Sequence, residues 1–209
     1  MSSSAVDAHD HAHDDHSHEP TYAEAWRNNR LGLWLFCVSE VFLFGGMLAA
    51  RFLLWGDTRP ELNQTLGLIT TGILLLSSWS MNRAETAIAY DDRKTFLNGL
   101  AATFVLGLIF LLGVVLLEWG VLHIIPGEEP LRPTDGAFGA MFFLMTGMHA
   151  FHVLTGLILI ALIWLNGRKG GYSAERHWGV EACAIYWHFV DLVWIFFYPA
   201  LYLIGNVVH

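Results

Sequence analysis

Leu100-Ala-Ala-Thr-Phe-Val-Leu-Gly-Leu-Ile-Phe-Leu-Leu-Gly-Val-Val-Leu-Leu117 runs without a single charge. As a helix rising 1.5 Å per residue it covers about 27 Å, close to the roughly 30 Å hydrocarbon core of a bilayer. In lipid every backbone N–H and C=O needs a partner inside the chain, so a spanning segment of this kind is helical. The surrounding apolar run extends over residues 97–120, and four others occupy residues 31–55, 64–82, 137–165 and 179–206. Turn and charge signals separate them: Trp55-Gly-Asp-Thr-Arg-Pro60, Tyr90-Asp-Asp-Arg-Lys94, Pro126-Gly-Glu-Glu-Pro-Leu-Arg-Pro133 and Asn166-Gly-Arg-Lys-Gly-Gly171. The Pro-rich segment cannot continue a helix and reads as an ordered turn outside the membrane. The expected fold is all-α, a polytopic five-transmembrane-helix bundle over residues 26–209.

Composition agrees. The 209 residues are 55% hydrophobic and 14% charged, with 9 Trp and 14 Phe, so the chain is a membrane domain rather than a soluble fold with one anchor. The net charge of -8 owes much to an acidic, His/Asp-rich stretch over residues 1–25, expected to be a disordered tail. That stretch lacks the basic start and apolar core of a signal peptide. Its alternating His and Asp could also hold a divalent metal loosely. No basic, phosphate-binding surface marks a nucleic-acid partner. Cys37 and Cys183 fall in apolar runs and form no Cys-x-x-Cys, which leaves two buried, inert thiols as the reading.

Basic residues set the orientation. Arg27, Arg30, Arg83, Arg93, Lys94, Arg168, Lys169 and Arg176 flank one side of the bundle, against Arg51, Arg59 and Arg132 on the other. The positive-inside rule then puts the N-terminus in the cytoplasm and the C-terminus outside.

The chemistry lies in polar residues at membrane depth, which are costly and normally face protein. Glu40 sits about ten residues into the first run, near the bilayer middle. A carboxylate there costs roughly 2.5–3.5 kcal/mol, against about 4–8 kcal/mol returned by the run's 13 Leu, Phe and Val residues, so insertion prevails. Two readings of Glu40 stand: a proton-path or lipid-contact carboxyl, and an interhelical hydrogen bond, with Ser39 or a neighbouring helix as partner. In the fourth run His149 and His152, three apart, share a face. In the fifth, Glu181, His188 and Asp191 form a stripe. Together they could form a metal site, His149 and His152 supplying half and His188 with Glu181 or Asp191 the rest. They could equally form an interhelical polar seam, with Gly139, Gly147 and Gly156 allowing close approach. Glu118, Trp26, Trp55, Trp119 and Trp178 read as members of an interfacial belt, the carboxylate solvated.

Several strings carry a resemblance. They are Ser39-Glu40-Val41-Phe42-Leu43-Phe44-Gly45, Asp92-Arg93-Lys94, Thr134-Asp135-Gly136, and Thr146-Gly147 with His149, His152, Val153 and Gly156. The most specific is Tyr186-Trp187-His188-Phe189-Val190-Asp191 with Val193 and Trp194, preceded by Glu181. From about Leu31 to Tyr202 the chain resembles subunit III of the haem-copper terminal oxidases. The longest members have seven spans, so five resembles the bacterial forms. The resemblance implies a non-redox subunit of a proton-pumping cytochrome c oxidase in the bacterial plasma membrane, sustaining proton uptake and the stability of the catalytic subunit. It implies no cofactor on this chain, haem and copper on catalytic subunit I and subunit II, and bound phospholipid near Glu40. It also implies a seam role for His149, His152, Glu181, His188 and Asp191. A quinol oxidase subunit III and a nitric-oxide-reduction accessory protein are the neighbouring alternatives. An autonomous metal oxidase built on His149, His152 and His188 is the alternative of another class, and a transporter lacks the internal repeat expected of one.

Overall fold

The computed structural model describes residues 22–121 and 131–208. Residues 1–21 of the tail expected over residues 1–25, and most of the Pro-rich segment, lie outside the described residues. Five long helices dominate. α1 is Tyr22–Trp55, α2 Gln64–Ala89, α3 Arg93–Leu112, α4 Gly136–Arg168 and α5 Trp178–Tyr198. α1 begins inside the segment expected to be tail, because Ala23, Glu24 and Ala25 are good helix formers that follow Pro20.

Among the described residues four helical stretches are long and apolar enough to cross a membrane: Trp26–Trp55, Arg93–Glu118, Gly136–Arg168 and Trp178–Leu203. The chain is thus an all-helical, multi-pass membrane protein. α2 falls short of that criterion because Thr70, Thr71, Ser77, Ser78 and Ser80 dilute its apolar run, with Arg83 and Glu85 beyond.

α2 and α3 form an antiparallel hairpin, turned by Tyr90, Asp91 and Asp92. Asp91 takes a left-handed conformation (φ 55°), which Asp tolerates better than most residues, and its carboxylate accepts the Ala174 N–H at 2.8 Å. Asp92 caps α3 by accepting the Thr95 N–H at 3.1 Å. Arg93 reaches across to the Arg168 carbonyl at 2.5 Å, at the negative end of α4.

α5 packs among α1, α2 and α4. Its Trp187 is fully buried, and the ring lies where Gly107 of α3 and Gly156 of α4 leave room. A Cβ at Gly107 would come 2.6 Å from it, and one at Gly156 2.8 Å. Of the three glycines expected to bring α4 and α5 together, Gly156 alone does so. Gly139 meets the loop at Arg132 and Gly147 meets only Trp119.

α3 and α5 each end in a π-helical turn, Gly113–Glu118 and Pro199–Leu203. Pro199 has no N–H to give to the ladder, which favours the wider turn. The chain then runs into β2 (Asn206–Val208), which pairs in parallel with β1 (Thr58–Pro60), Thr58 opposite Asn206. Gly205 makes the approach possible at φ 113°, where a Cβ would fall 2.9 Å from the Thr58 carbonyl.

Candidate functional site

Glu40 and His152 meet across α1 and α4. Both sit near the middle of their helices, and Oε2 of Glu40 lies 3.2 Å from Nε2 of His152, with side chains 16% and 8% exposed. Nδ1 of His152 lies 2.8 Å from the Met148 carbonyl. A carbonyl only accepts, so Nδ1 carries a proton, and a neutral imidazole then offers Nε2 as an acceptor. A bond from Nε2 to the carboxyl oxygen therefore holds one proton between the two groups. Phe44 closes the site edge-on at 4.8 Å from the imidazole, part of a ring cluster with Phe189 and Phe197. The Ser39 hydroxyl is spent on the Phe36 carbonyl at 2.7 Å, so Glu40 has its partner on the neighbouring helix.

The remaining polar residues are distributed rather than gathered. His188 bonds through Nδ1 to the Ser78 hydroxyl of α2 at 2.6 Å. Asp191 is buried, and its oxygens make no hydrogen bond among the described residues. Glu181 pairs with His177 at 3.1 Å, at the start of α5 and away from the bundle centre. His149 stands apart in an aromatic box, 4.8 Å from Trp194 and 5.7 Å from Phe110, with neither ring nitrogen bonded to a described protein group. The structure thus does not bring His149, His152, Glu181, His188 and Asp191 into one α4–α5 seam. It pairs α4 with α1 through His152, and α5 with α2 through His188. Among the described residues no three or more His, Cys, Asp and Glu side chains form a group that could hold a metal ion.

What holds the helices together was largely missed in the sequence. On α2, Ser77 accepts the Trp187 indole N–H at 3.1 Å and Thr71 accepts that of Trp194 at 2.9 Å. On α4, Thr155 and Tyr186 share a 2.6 Å bond, and the Tyr186 hydroxyl lies 3.2 Å from the His152 carbonyl. A repeat of hydroxyls seven apart on α2 (Thr70 with Ser77, Thr71 with Ser78) was the available signal.

Glu118 is another correction. Far from being simply solvated, its carboxyl is bonded by the Tyr202 hydroxyl and approached by that of Thr70 at 3.5 Å, so the two π-helical turns meet there. Trp55 is likewise buried and donates to the Ala137 carbonyl at 3.1 Å. Arg51 is fully buried, donating to the carbonyls of Gly56 (3.3 Å) and Ile204. Cys37 and Cys183 are both buried and unlinked.

Residues of the string Tyr186–Asp191 thus meet α1, α2, α3 and α4. Residues 13–206 match the family model for cytochrome c oxidase subunit III. The chain belongs to that family. It is 36% identical over 198 residues to cytochrome c oxidase subunit 3 of Thermostichus vulcanus, covering 91% of this chain and 92% of the relative. Against cytochrome c oxidase subunit 3 of Sus scrofa it is 34% identical over 190 residues, covering 85% and 70%. For the same subunit of Dugong dugon the figures are 33% over 202 residues, 90% and 73%. As a family member the chain is a subunit of a cytochrome c oxidase complex, and the quinol and nitric-oxide alternatives are not favoured.

Proposed function

We propose that this chain is a non-redox subunit that supports proton uptake and the working life of the catalytic subunit, with the Glu40–His152 pair as its functional centre. One observation carries this reading: a carboxyl and an imidazole at mid-membrane lie 3.2 Å apart across α1 and α4, in a phenylalanine-lined site. α1 is also the helix that leaves most of its apolar surface uncovered, as befits an element facing lipid or a partner subunit. The haem and copper centres belong, in this reading, to subunits I and II, because His149, His152 and His188 face separate neighbours. Phospholipid is the ligand expected beside Glu40, and cytochrome c the electron donor at one remove.

Five spans fit the helices better than four. The 26 residues of α2 reach about 39 Å, and each α2 hydroxyl considered above has a partner within the bundle. With α2 counted, the distribution of Arg and Lys puts the N-terminus in the cytoplasm and the C-terminus outside a bacterial plasma membrane.

The test is Glu40→Gln in the intact oxidase. The amide can still donate to Nε2 of His152, so assembly should be unchanged while the exchangeable proton is gone. Oxygen consumption should start near the wild-type rate and decay over fewer turnovers, or proton uptake should slow. Wild-type rate, proton uptake and durability together would remove the proton role.

A further inference from the structure

At the α2–α3 turn, away from Glu40, an open groove of about 400 Å³ is lined by Trp79, Asn82, Arg83, Thr86, Tyr90 and Asp92. Trp79 is 61% and Tyr90 82% exposed, so two large amphipathic rings stand at a helix end where a bilayer has its interface. The Arg83 guanidinium lies over the Trp79 ring, 5.7 Å from its centroid, and the side chain is exposed. No carboxylate among the described residues pairs with it. Asp92, at the other side, accepts the Thr95 N–H, with the Thr95 hydroxyl and Lys94 also acting on it, and keeps acceptor capacity, since an ionised carboxylate can take about four hydrogen bonds. One groove therefore presents a bidentate cation and a carboxylate together.

The surface below it is apolar. Leu68, Gly72, Leu76, Trp79 and Arg83 recur at intervals of four, four, three and four, which places them on one stripe of α2. Leu68 and Leu76 are exposed, and a Cβ at Gly72 would meet nothing within 4 Å, so the stripe is a shallow channel leading from Arg83 into the membrane.

We propose that this groove is a head-group site for an ethanolamine phospholipid of the adjoining leaflet. Arg83 and Asn82 take the phosphate, Asp92 takes the primary ammonium, and an acyl chain lies along Leu76, Gly72 and Leu68. The charges match in kind and order: Arg recognises phosphate oxygens in a planar fork. The ammonium brings three N–H donors to Asp92, which a choline head group lacks. An anionic glycerol head group would satisfy Arg83 and leave Asp92 facing it unpaired. The site depends on a membrane face at this turn and not on the oxidase role, so the failure of either leaves the other standing.

Native mass spectrometry of the full-length detergent-solubilised chain tests it, with phosphatidylethanolamine, phosphatidylglycerol, phosphatidylcholine or inorganic phosphate added separately. The wild type should retain the ethanolamine lipid about tenfold better than the choline lipid, one charge-assisted contact being worth about that factor. Inorganic phosphate, which cannot use the stripe, should leave no adduct. Arg83→Gln should lower retention of the ethanolamine and glycerol lipids alike. Asp92→Asn, which keeps an N-cap acceptor for α3, should bring the ethanolamine lipid down to the choline level and spare the glycerol lipid. Lys169→Gln, on the α4–α5 connection, should behave as wild type. Equal retention of the three lipids by wild type would reduce the groove to ordinary lipid contact and overturn the proposal. So would stronger retention of the glycerol lipid, or full ethanolamine binding by Asp92→Asn.

Discussion

α1 and α2 invert the usual link between hydropathy and burial. α1 qualifies by composition as a membrane span, yet Leu31, Leu35, Val38, Phe42, Leu53 and Leu54 are all exposed. α2 does not qualify, yet Gly67, Thr70, Thr71, Leu74, Ser77, Ser80, Met81 and Ala84 are buried. In water the more apolar helix would be the core. In a bilayer lipid tails are as apolar as Leu, so apolar area gives no reason for two helices to meet. Close approach and hydrogen bonding decide the matter instead. α2 has the small and hydroxyl-bearing residues for both, and its partners on α5 are Trp187, His188 and Trp194. α1 is tied at fewer points: the proton shared between Glu40 and His152, the Phe44 ring cluster, and Arg51 near its end.

The largest effect that would sharpen this contrast comes from adding bulk at a glycine of α3, which packs with α2 around Trp187 of α5, and at a glycine of α1. Gly107→Leu drives a side chain into Trp187, where even a Cβ falls at 2.6 Å. Trp187 cannot retreat, being held between Gly156 and Ser77. Overpacking of this kind should cost about 3 kcal/mol or more. Thermal melting of the solubilised chain, followed by size-exclusion chromatography, should show most of the protein lost. Gly46→Leu on α1 has nothing within 4 Å of the new Cβ and should stay within about 0.5 kcal/mol of wild type. Equal damage from both substitutions would break the distinction between a packed α2–α5 interior and a lightly tied α1.

Arg51→Met should give a smaller and more local loss. Arg51 carries the end of α1 by donating to Gly56 and to Ile204, beside Arg59, which donates to the Gly205 carbonyl at 3.2 Å. The Gln64 amide adds a bond to the Tyr202 carbonyl at 3.0 Å. Methionine fills the space without supplying donors, so the part-buried carbonyls of Gly56 and Ile204 lose these bonds at about 1 kcal/mol. Hydrogen exchange should show the last turns of α1, β1 and β2 losing protection together, while α2 and α3 keep theirs. Loss spread evenly over all five helices would mean that α1 is not a separately tied element.

Sequence made the helices legible because a bilayer leaves few alternatives to a 20-residue apolar run. It also singled out Glu40 and His152 individually, since ionisable groups at mid-membrane are rare. Their pairing was not legible. Spacing along a chain fixes which residues share a helix face, and says nothing of which helix that face meets. The same gap explains why His188 was expected to face α4 and instead meets Ser78. Arg51 counted as an extramembrane charge from its position near the end of α1. Only the return of residues 204–208 alongside residues 58–60 buries it. The roles of Ser77, Ser78 and Thr71 were not legible because each depends on an indole or imidazole more than 100 residues away.

The smallest effect lies at the membrane-exposed end of the well-packed pair, in the cap that starts α3. The Thr95 hydroxyl and N–H both act on Asp92 and hold its carboxyl below the ordinary Asp value of about 3.9. A depressed folded-state value means that the folded chain favours the ionised form more than the unfolded chain does. The cap's contribution is therefore fully present above the unfolded value and is lost as pH falls through the folded one. Titrating the Thr95 amide resonance should show it moving as Asp92 protonates, below the pH at which an unstructured Asp would. Asp92→Asn keeps an oxygen acceptor for Thr95 without a titrating group, so its Thr95 resonance should stay flat over the same range. A shift in the variant as large as in the wild type would place the titrating group elsewhere.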